Sequence, residues 1–259
     1  MAASKIEFPL HLAPRVTRGS QVSSEAGTWS LRIPAGEGRS YRLAQLDDYG
    51  QRARRDFAWR PPVTIKLQAR VSGPDLPGTW GFGFWNDPFG LSLGFGGTPA
   101  RLPCLPDCAW FFHASPPNHL SLDDRVPGSG FFAGTFRSRR LPTLLLPFAL
   151  PGLPLLAIRP VSRLFRRMAA RWVRQSGAPV HVDVSGWHAY EIRWLPERCE
   201  FLVDGSLLLR TELVPAGPLG LVLWIDNQFA AWEPDGDIKV GTLSGEDAWL
   251  ELSQWKLLR

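Results

Sequence analysis

Through residues 188–211, apolar and polar side chains alternate with a period of two. Tyr190, Ile192 and Trp194 fall on one side and Glu191 and Arg193 on the other, the pattern of a strand buried on one face. Leu195-Pro196-Glu197-Arg198 interrupts the run, 199–203 resumes it, and Asp204-Gly205 supplies a tight reversal into Leu207, Leu208 and Leu209. An antiparallel meander is predicted. The same period marks 28–33, 41–49, 63–71, 79–88, 108–113, 128–136, 217–232 and 248–258, most regularly in Val63, Ile65, Leu67, Ala69 and Val71. Residues 1–26 read as irregular apart from a short strand at 6–12, and 236–245 as a loop. The pattern is that of an all-β chain, a single antiparallel sandwich over 1–259.

The period changes between 137 and 177. Residues 141–158 run for 18 positions without a charge, near the length that spans a bilayer. Four prolines forbid a regular helix there, and hydrocarbon does not tolerate unpaired backbone, so the stretch does not simply cross. After Arg159-Pro160, the apolar residues Val161, Leu164, Phe165, Met168 and Trp172 recur at helical spacing. Arg163, Arg166, Arg167, Arg171 and Arg174 lie round the other side. Pro160 suits the start of such a helix and Gly177 its end. Residues 137–177 are thus predicted to be an insertion, a Pro-rich apolar loop followed by a basic amphipathic helix. Two readings of it stay open. In one, Leu144, Phe148, Phe165 and Trp172 enter a membrane interface while Arg166 and Arg167 meet an anionic membrane surface. In the other, loop and helix fold over the sandwich as a lid and the arginines are solvated.

The stretch W-H-A-Y-E-I-R-W-L-P-E-R-C-E-F-L-V-D-G (187–205), followed by G-P-L-G-L-V-L-W-I-D-N-Q (217–228), carries a resemblance. It is similar to the late strands of concanavalin A-like jelly rolls, specifically the laminarinase and β-glucanase branch of glycoside hydrolases. The likeness implies a jelly-roll sandwich of two curved sheets, with a ligand groove on the concave one. For an enzyme of that branch it also implies two carboxylates on one face of a strand, about 5 Å apart, as nucleophile and acid/base. The strand at that place, 108–113, reads Cys-Ala-Trp-Phe-Phe-His and holds neither. Retaining glycoside hydrolysis is therefore not expected, and the resemblance speaks for the fold rather than the activity.

Composition narrows the partners. Twelve Trp and a hydrophobic content of 44% supply ample core. The net charge of +5 is local: 137–174 holds nine arginines and no acidic residue, which leaves the remainder at about −4. Lysine occurs only four times, so the charge is not spread along a nucleic-acid groove and no nucleic-acid partner is expected. The first residues lack the continuous apolar run of a secretory signal. A cytoplasmic chain is expected, peripheral on the inner face of the membrane if the helix binds there. Cys104 and Cys108 are close enough to bridge, but three cysteines cannot all pair and no His cluster sits at ligand spacing. Reduced thiols and no metal are expected. Without a phosphate loop, nucleophile elbow or zinc spacing, no cofactor is expected either.

Candidate binding residues share the outer parity of several strands. Gly81, Gly83, Trp85 and Asp87 alternate in 79–88, Trp224, Asp226 and Gln228 in 219–228, and Gln45 and Asp47 in 41–49. Trp85 and Trp224, with Trp110 beside them, would stack on a sugar ring or an apolar chain, Asp87, His113 and Asp226 would fix its orientation, and Gln45, Asp47 and Gln228 are further ligand-binding candidates. Gly81 and Gly83 either let a ligand approach the backbone or make room for a neighbouring Trp. The adjacent pair Asp47 and Asp48 has a structural reading as well, closing the strand end and bonding the following turn. The leading function is non-hydrolytic binding of a carbohydrate, glycolipid or other apolar, lipid-like ligand. An alternative is an enzyme of non-glucanase chemistry in the same cleft, with His113 and Asp87 or Asp226 as an acid/base pair. A third reading is a membrane-associated structural protein without a small ligand, whose cleft is filled by the chain's own side chains.

Overall fold

The computed structural model describes residues 12–50, 52–88, 101, 104–124, 126, 128–139 and 150–259. The strand expected at 6–12 lies outside the described residues apart from Leu12, as do Leu144 and Phe148 of the expected membrane loop. The first half of the chain forms β1 (Ala13–Val16), β2 (Gln21–Glu25), β3 (Thr28–Ile33), β4 (Leu43–Asp47), β5 (Val63–Val71), β6 (Thr79–Trp85), β7 (Cys108–Ala114) and β8 (Gly130–Ser138). A 3-10 stretch, Leu150–Ala157, and helix α1 (Arg159–Trp172) follow. Then come β9 (Val173–Pro179), β10 (His188–Trp194), β11 (Cys199–Val203), β12 (Ser206–Thr211) and β13 (Gly220–Asp226). The chain closes with β14 (Gln228–Trp232), β15 (Ile238–Thr242) and β16 (Ala248–Leu258).

Seven strands form one sheet in the order β1-β4-β13-β6-β7-β8-β9, and seven form a second, β12-β11-β10-β5-β16-β3-β2. All of these ladders are antiparallel, and β14 pairs with β15 as a separate hairpin. The architecture is the expected two-sheet jelly-roll sandwich with a helical insertion. In the second sheet, β5 alternates buried and half-buried positions along its whole length, as its sequence dictates. Asp204 and Gly205 take positive φ values of 49° and 79°, which gives the tight reversal between β11 and β12. Aromatic rings close the space between the sheets, with Phe84 against Trp194 at 5.6 Å and Phe111 against Tyr190 at 5.0 Å.

The middle of the first sheet is buried on both faces, while its edge strands β1 and β9 are not. Strands β4, β6, β7 and β13 are covered along nearly their whole length. Their inner side chains join the inter-sheet core, while their outer ones build a second apolar cluster around Tyr49, Trp110, Phe112 and Trp224. That outer cluster is where the candidate site sits.

Three segments depart from the sequence reading. Residues 13–16 and 21–25 are strands rather than irregular, because the open backbone edges of β4 and β3 pair with them whatever their polarity. Within the expected loop at 236–245, Ile238–Thr242 is β15, paired with β14. The insertion is also shorter than 137–177. Arg137 belongs to β8, α1 ends at Trp172, and β9 pairs with β8 from Ser138↔Val173 to Phe132↔Pro179. Gly177 therefore lies opposite Gly134 in a strand and does not terminate a helix. The unpaired edge of β8 captures this segment, leaving 139–172 as the insertion.

Candidate functional site: an aromatic cavity and an inside-out helix

Glycines on the outer side of β6 shape the site. In the ladder, Gly81 lies between Trp224 of β13 and Phe112 of β7, and Gly83 between Val222 and Trp110. A Cβ on Gly81 would stand 2.8 Å from the Trp224 ring, and one on Gly83 would stand 2.8 Å from the Trp110 Cβ. The glycines make room for neighbouring tryptophans, the second of the two roles open to them. Freed to lean inward, Trp224 stacks on Trp85 at 6.1 Å with 6° between planes, and Phe112 packs against it at 5.5 Å. A cavity of about 160 Å³ remains over these rings. Its walls are Trp85, Trp110, Phe112 and Trp224, with Tyr41, Gln45, Asp226 and Gln228 as polar groups and Asn118, Leu120 and Ala230 closing one side.

Asp226 is the carboxylate of this cavity. It accepts from Thr79 Oγ1 at 2.8 Å, Thr79 N at 3.1 Å, Gln228 N at 3.2 Å and the Tyr41 hydroxyl at 3.3 Å. Burial nonetheless pushes its pKa up to about 6, against the pull of those bonds. Trp224 is anchored beside it through Nε1 donating to Thr79 Oγ1 at 2.9 Å. Trp85 Nε1 donates to the Tyr49 hydroxyl at 2.8 Å. Two polar atoms on lining residues stand apart: Trp110 Nε1 and Gln228 Oε1 are buried and have no hydrogen-bond partner among the described residues.

The expected acid/base pair is not assembled. His113 lies opposite Trp80 in the ladder and its ring stacks on Trp80 at 5.3 Å, whereas Asp226 lies opposite Thr79. Thr79 and Trp80 are consecutive in β6, so His113 and Asp226 occupy opposite faces of one sheet. His113 shares the parity of Ala109 and Phe111, which the inter-sheet core claims. Burial lowers its pKa to about 4 and keeps it neutral, with Asp75 opposing the shift. Asp87 follows the end of β6 at φ 47° and is ion-paired with buried Arg101. That guanidinium also reaches the carbonyl oxygens of Tyr49 at 3.1 Å and Arg52 at 2.8 Å, so the pair is a strut between loops.

Asp47 is a further correction among the ligand-binding expectations. It is occupied by Arg15 at 3.3 Å, Gln45 Nε2 at 2.8 Å and Gly50 N at 2.7 Å, which is its strand-end role. Gln45 does line the cavity, with Nε2 already donated to Asp47 and the Tyr49 hydroxyl. Opposite Asp47 in the ladder is Val222, four positions before Asp226. At ~3.3 Å per residue the two outer-face carboxylates are thus about 13 Å apart, beyond either glycosidase geometry. Trp85, Trp224 and Gln228 are brought together as expected. Tyr41, Asn118 and Leu120 are not anticipated by the sequence reading. Tyr41 has the parity of Leu43 and Gln45 as a signal, while Asn118 and Leu120 lie in a connection without periodicity.

Helix α1 packs with its polar side inward. Its buried residues are Ser162 and Arg166. Ser162 Oγ accepts from Trp232 Nε1 at 3.0 Å. Arg166 donates to the carbonyl oxygens of Trp232 and Ser121 at 2.9 Å each and to Asp124 at 2.7 Å. Leu164, Phe165, Met168 and Trp172 face out, 56%, 39%, 43% and 37% exposed. Arg163, Arg167 and Arg171 are exposed along the flank. Of the expected membrane residues, Phe165, Arg167 and Trp172 are outward and Arg166 is not, because its guanidinium satisfies buried carbonyls. Among the described residues no helix is long and apolar enough to cross a membrane.

No protein-family model and no curated protein matches this sequence. Solved structures match in fold. An endo-β-1,4-glucuronan lyase from the fungus Trichoderma reesei is similar at 10% identity with a TM-score of 0.50, over 99% of this chain and 93% of that one. LamAcat from Zobellia galactanivorans is similar at 13% identity and a TM-score of 0.48, over 92% and 80%. The carbohydrate recognition domain of Emp47p is similar at 11% identity and a TM-score of 0.44, over 93% and 86%. At such identities the likeness is one of fold, and the chain has the concanavalin A-like jelly roll.

Proposed function

We propose that this chain, built on a concanavalin A-like jelly roll, binds one ring of a neutral carbohydrate in the outer-face cavity and does not cleave it. The observation that carries this is the unpartnered pair, Trp110 Nε1 as donor and Gln228 Oε1 as acceptor, on two residues that line the same cavity. A sugar hydroxyl both donates and accepts, and the C–H face of a pyranose stacks on indole, so a single ring answers both features. An aliphatic lipid chain would leave the two polar atoms unsatisfied. The cavity of about 160 Å³ is smaller than the ~300–1,000 Å³ of drug-sized pockets, which favours one ring over an extended chain. Neighbours with glycan-processing or glycan-recognising names share the fold and lend the reading support of that general kind.

The carboxylates support the absence of hydrolysis. Asp47 is tied up, Asp226 stands about 13 Å along the strand from it, and His113 faces the other way. The test is a neutral-glycan array followed by calorimetry on the best ligand, with a reducing-end assay after long incubation. Saturable binding without new reducing ends is expected. New reducing ends, or uniform failure to bind, would overturn the reading.

A membrane surface is the second part of the proposal. The outward apolar face of α1 beside Arg163, Arg167 and Arg171 suits an interfacial helix on an anionic leaflet. Such leaflets face the cytoplasm, so we place the chain there, peripheral on the inner face and presented to a glycolipid or other membrane-linked sugar. Co-sedimentation with phosphatidylserine vesicles tests it. Polar substitution of Leu164, Phe165 and Met168 should abolish sedimentation, and unchanged sedimentation would remove the membrane.

A further inference from the structure

Between the apolar and inward sectors of α1 runs a basic flank. Arg167 and Arg171, one turn apart, open onto a groove of about 1170 Å³ formed with Arg174 of β9, Arg210 of β12 and the 122–124 segment. Two arginines of this lining are already committed, Arg166 to Asp124 at 2.7 Å and Arg210 to Glu200 at 3.0 Å. Arg167, Arg171 and Arg174 have no ion-pair partner among the described residues.

We propose that this groove is a site for a phosphate group, carried by a lipid headgroup and held by Arg167, Arg171 and Arg174. The proposal deepens the membrane reading above and rests on it for the lipid source. Guanidinium groups match phosphate oxygens in paired, charge-assisted hydrogen bonds, a geometry that a lysine patch does not provide. Asp123 and Glu212 also line the groove, so its field is not uniformly positive. A diffuse anionic surface gains little from such a lining. A compact dianion seated on three free guanidinium groups gains much more. The neighbouring side of α1 supplies the rest of the fit: Leu164 and Met168 are exposed next to Arg167 and Arg171 in the helical order, where acyl chains would begin below a bound headgroup.

The experiment compares phosphatidylcholine vesicles carrying either phosphatidylserine or phosphatidylinositol 4-phosphate at matched total charge, using the full chain. A parallel calorimetric titration uses soluble inositol 1,4-bisphosphate. At least fivefold tighter binding to the phosphomonoester vesicles is expected, with Arg167→Gln/Arg171→Gln/Arg174→Gln reducing both vesicles to one common affinity. These three side chains are exposed, so the variant should keep its melting temperature, which is measured alongside. Equal affinities of the unaltered chain for the two vesicles overturn the headgroup site while leaving membrane attachment standing. Bisphosphate binding that the triple variant loses, with no vesicle binding, keeps the phosphate site and removes the lipid source. Binding in neither arm overturns both.

Discussion

Arg166 reaches inward from the middle of an exposed helix and donates to the Trp232 carbonyl oxygen at 2.9 Å, reversing the usual sense of amphipathic packing. Polar groups hold the helix down and its apolar face is free. Arg166→Ala should therefore cost about 1–3 kcal/mol, because it strips the partner from two carbonyl oxygens. Met168→Ser should change stability by less than about 0.5 kcal/mol. Urea denaturation measures both, and limited proteolysis should cut the Arg166 variant within the insertion first. A larger loss for Met168 than for Arg166 would contradict the packing described.

Gly81→Ala tests the local cause of the cavity. The new Cβ would sit 2.4 Å from the Phe111 carbonyl oxygen, which is backbone and cannot swing away, and 2.8 Å from the Trp224 ring. Overpacking of this kind costs about 1–3 kcal/mol. Trp224 should be displaced, so a shift in tryptophan fluorescence and loss of glycan binding should accompany the lower melting temperature.

Asp226 makes stability depend on pH in a defined sense. Its pKa is raised by burial from 3.8 to about 6, so the folded state holds the proton more tightly than the unfolded chain. The stabilising contribution is complete below about pH 4 and is lost as pH rises through about 6. Asp226→Asn should therefore gain on the unaltered protein by ~3 kcal/mol on going from pH 4 to pH 8, with bonds to Thr79 retained by the amide oxygen. Asp48, also raised to about 6, is common to both proteins and cancels in the difference. Denaturation at several pH values reads it, and a difference independent of pH would show that Asp226 is solvated.

Gln228→Ala should weaken glycan binding roughly three- to tenfold, the value of one hydrogen bond, while leaving the melting temperature unchanged because Oε1 has no partner to lose. Calorimetry and thermal melts on the same sample separate the two effects.

Much of the framework is legible in the chain itself. Val63–Val71 advertises its inner face through strict alternation, and Asp204-Gly205 marks its own turn. Legibility fails where both faces of a strand are buried. In β7, Phe111 and Phe112 are equally apolar, so nothing in the local pattern says which belongs to the inter-sheet core, and His113 is read into the cleft although it shares the parity of Phe111 and not that of Trp110. Edge strands fail for a different reason. Val173–Pro179 has no period at all and is a strand because β8 offers it an unpaired backbone edge. That α1 is a helix is read from the spacing of its apolar residues, but its orientation rests on Ser162 and Arg166 finding carbonyl and indole partners far along the chain.

The most direct test of the central claim follows indole N–H signals by nitrogen-edited NMR during titration with the glycan selected on the array. Trp80, Trp110 and Trp194 all carry buried Nε1 atoms without a partner among the described residues, but of the three residues Trp110 is the one that lines the cavity. A saturable shift of the Trp110 signal, assigned by Trp110→Phe, with Trp80 and Trp194 unmoved, is the result predicted here. A titration in which the ligand binds and Trp110 stays in place would contradict it.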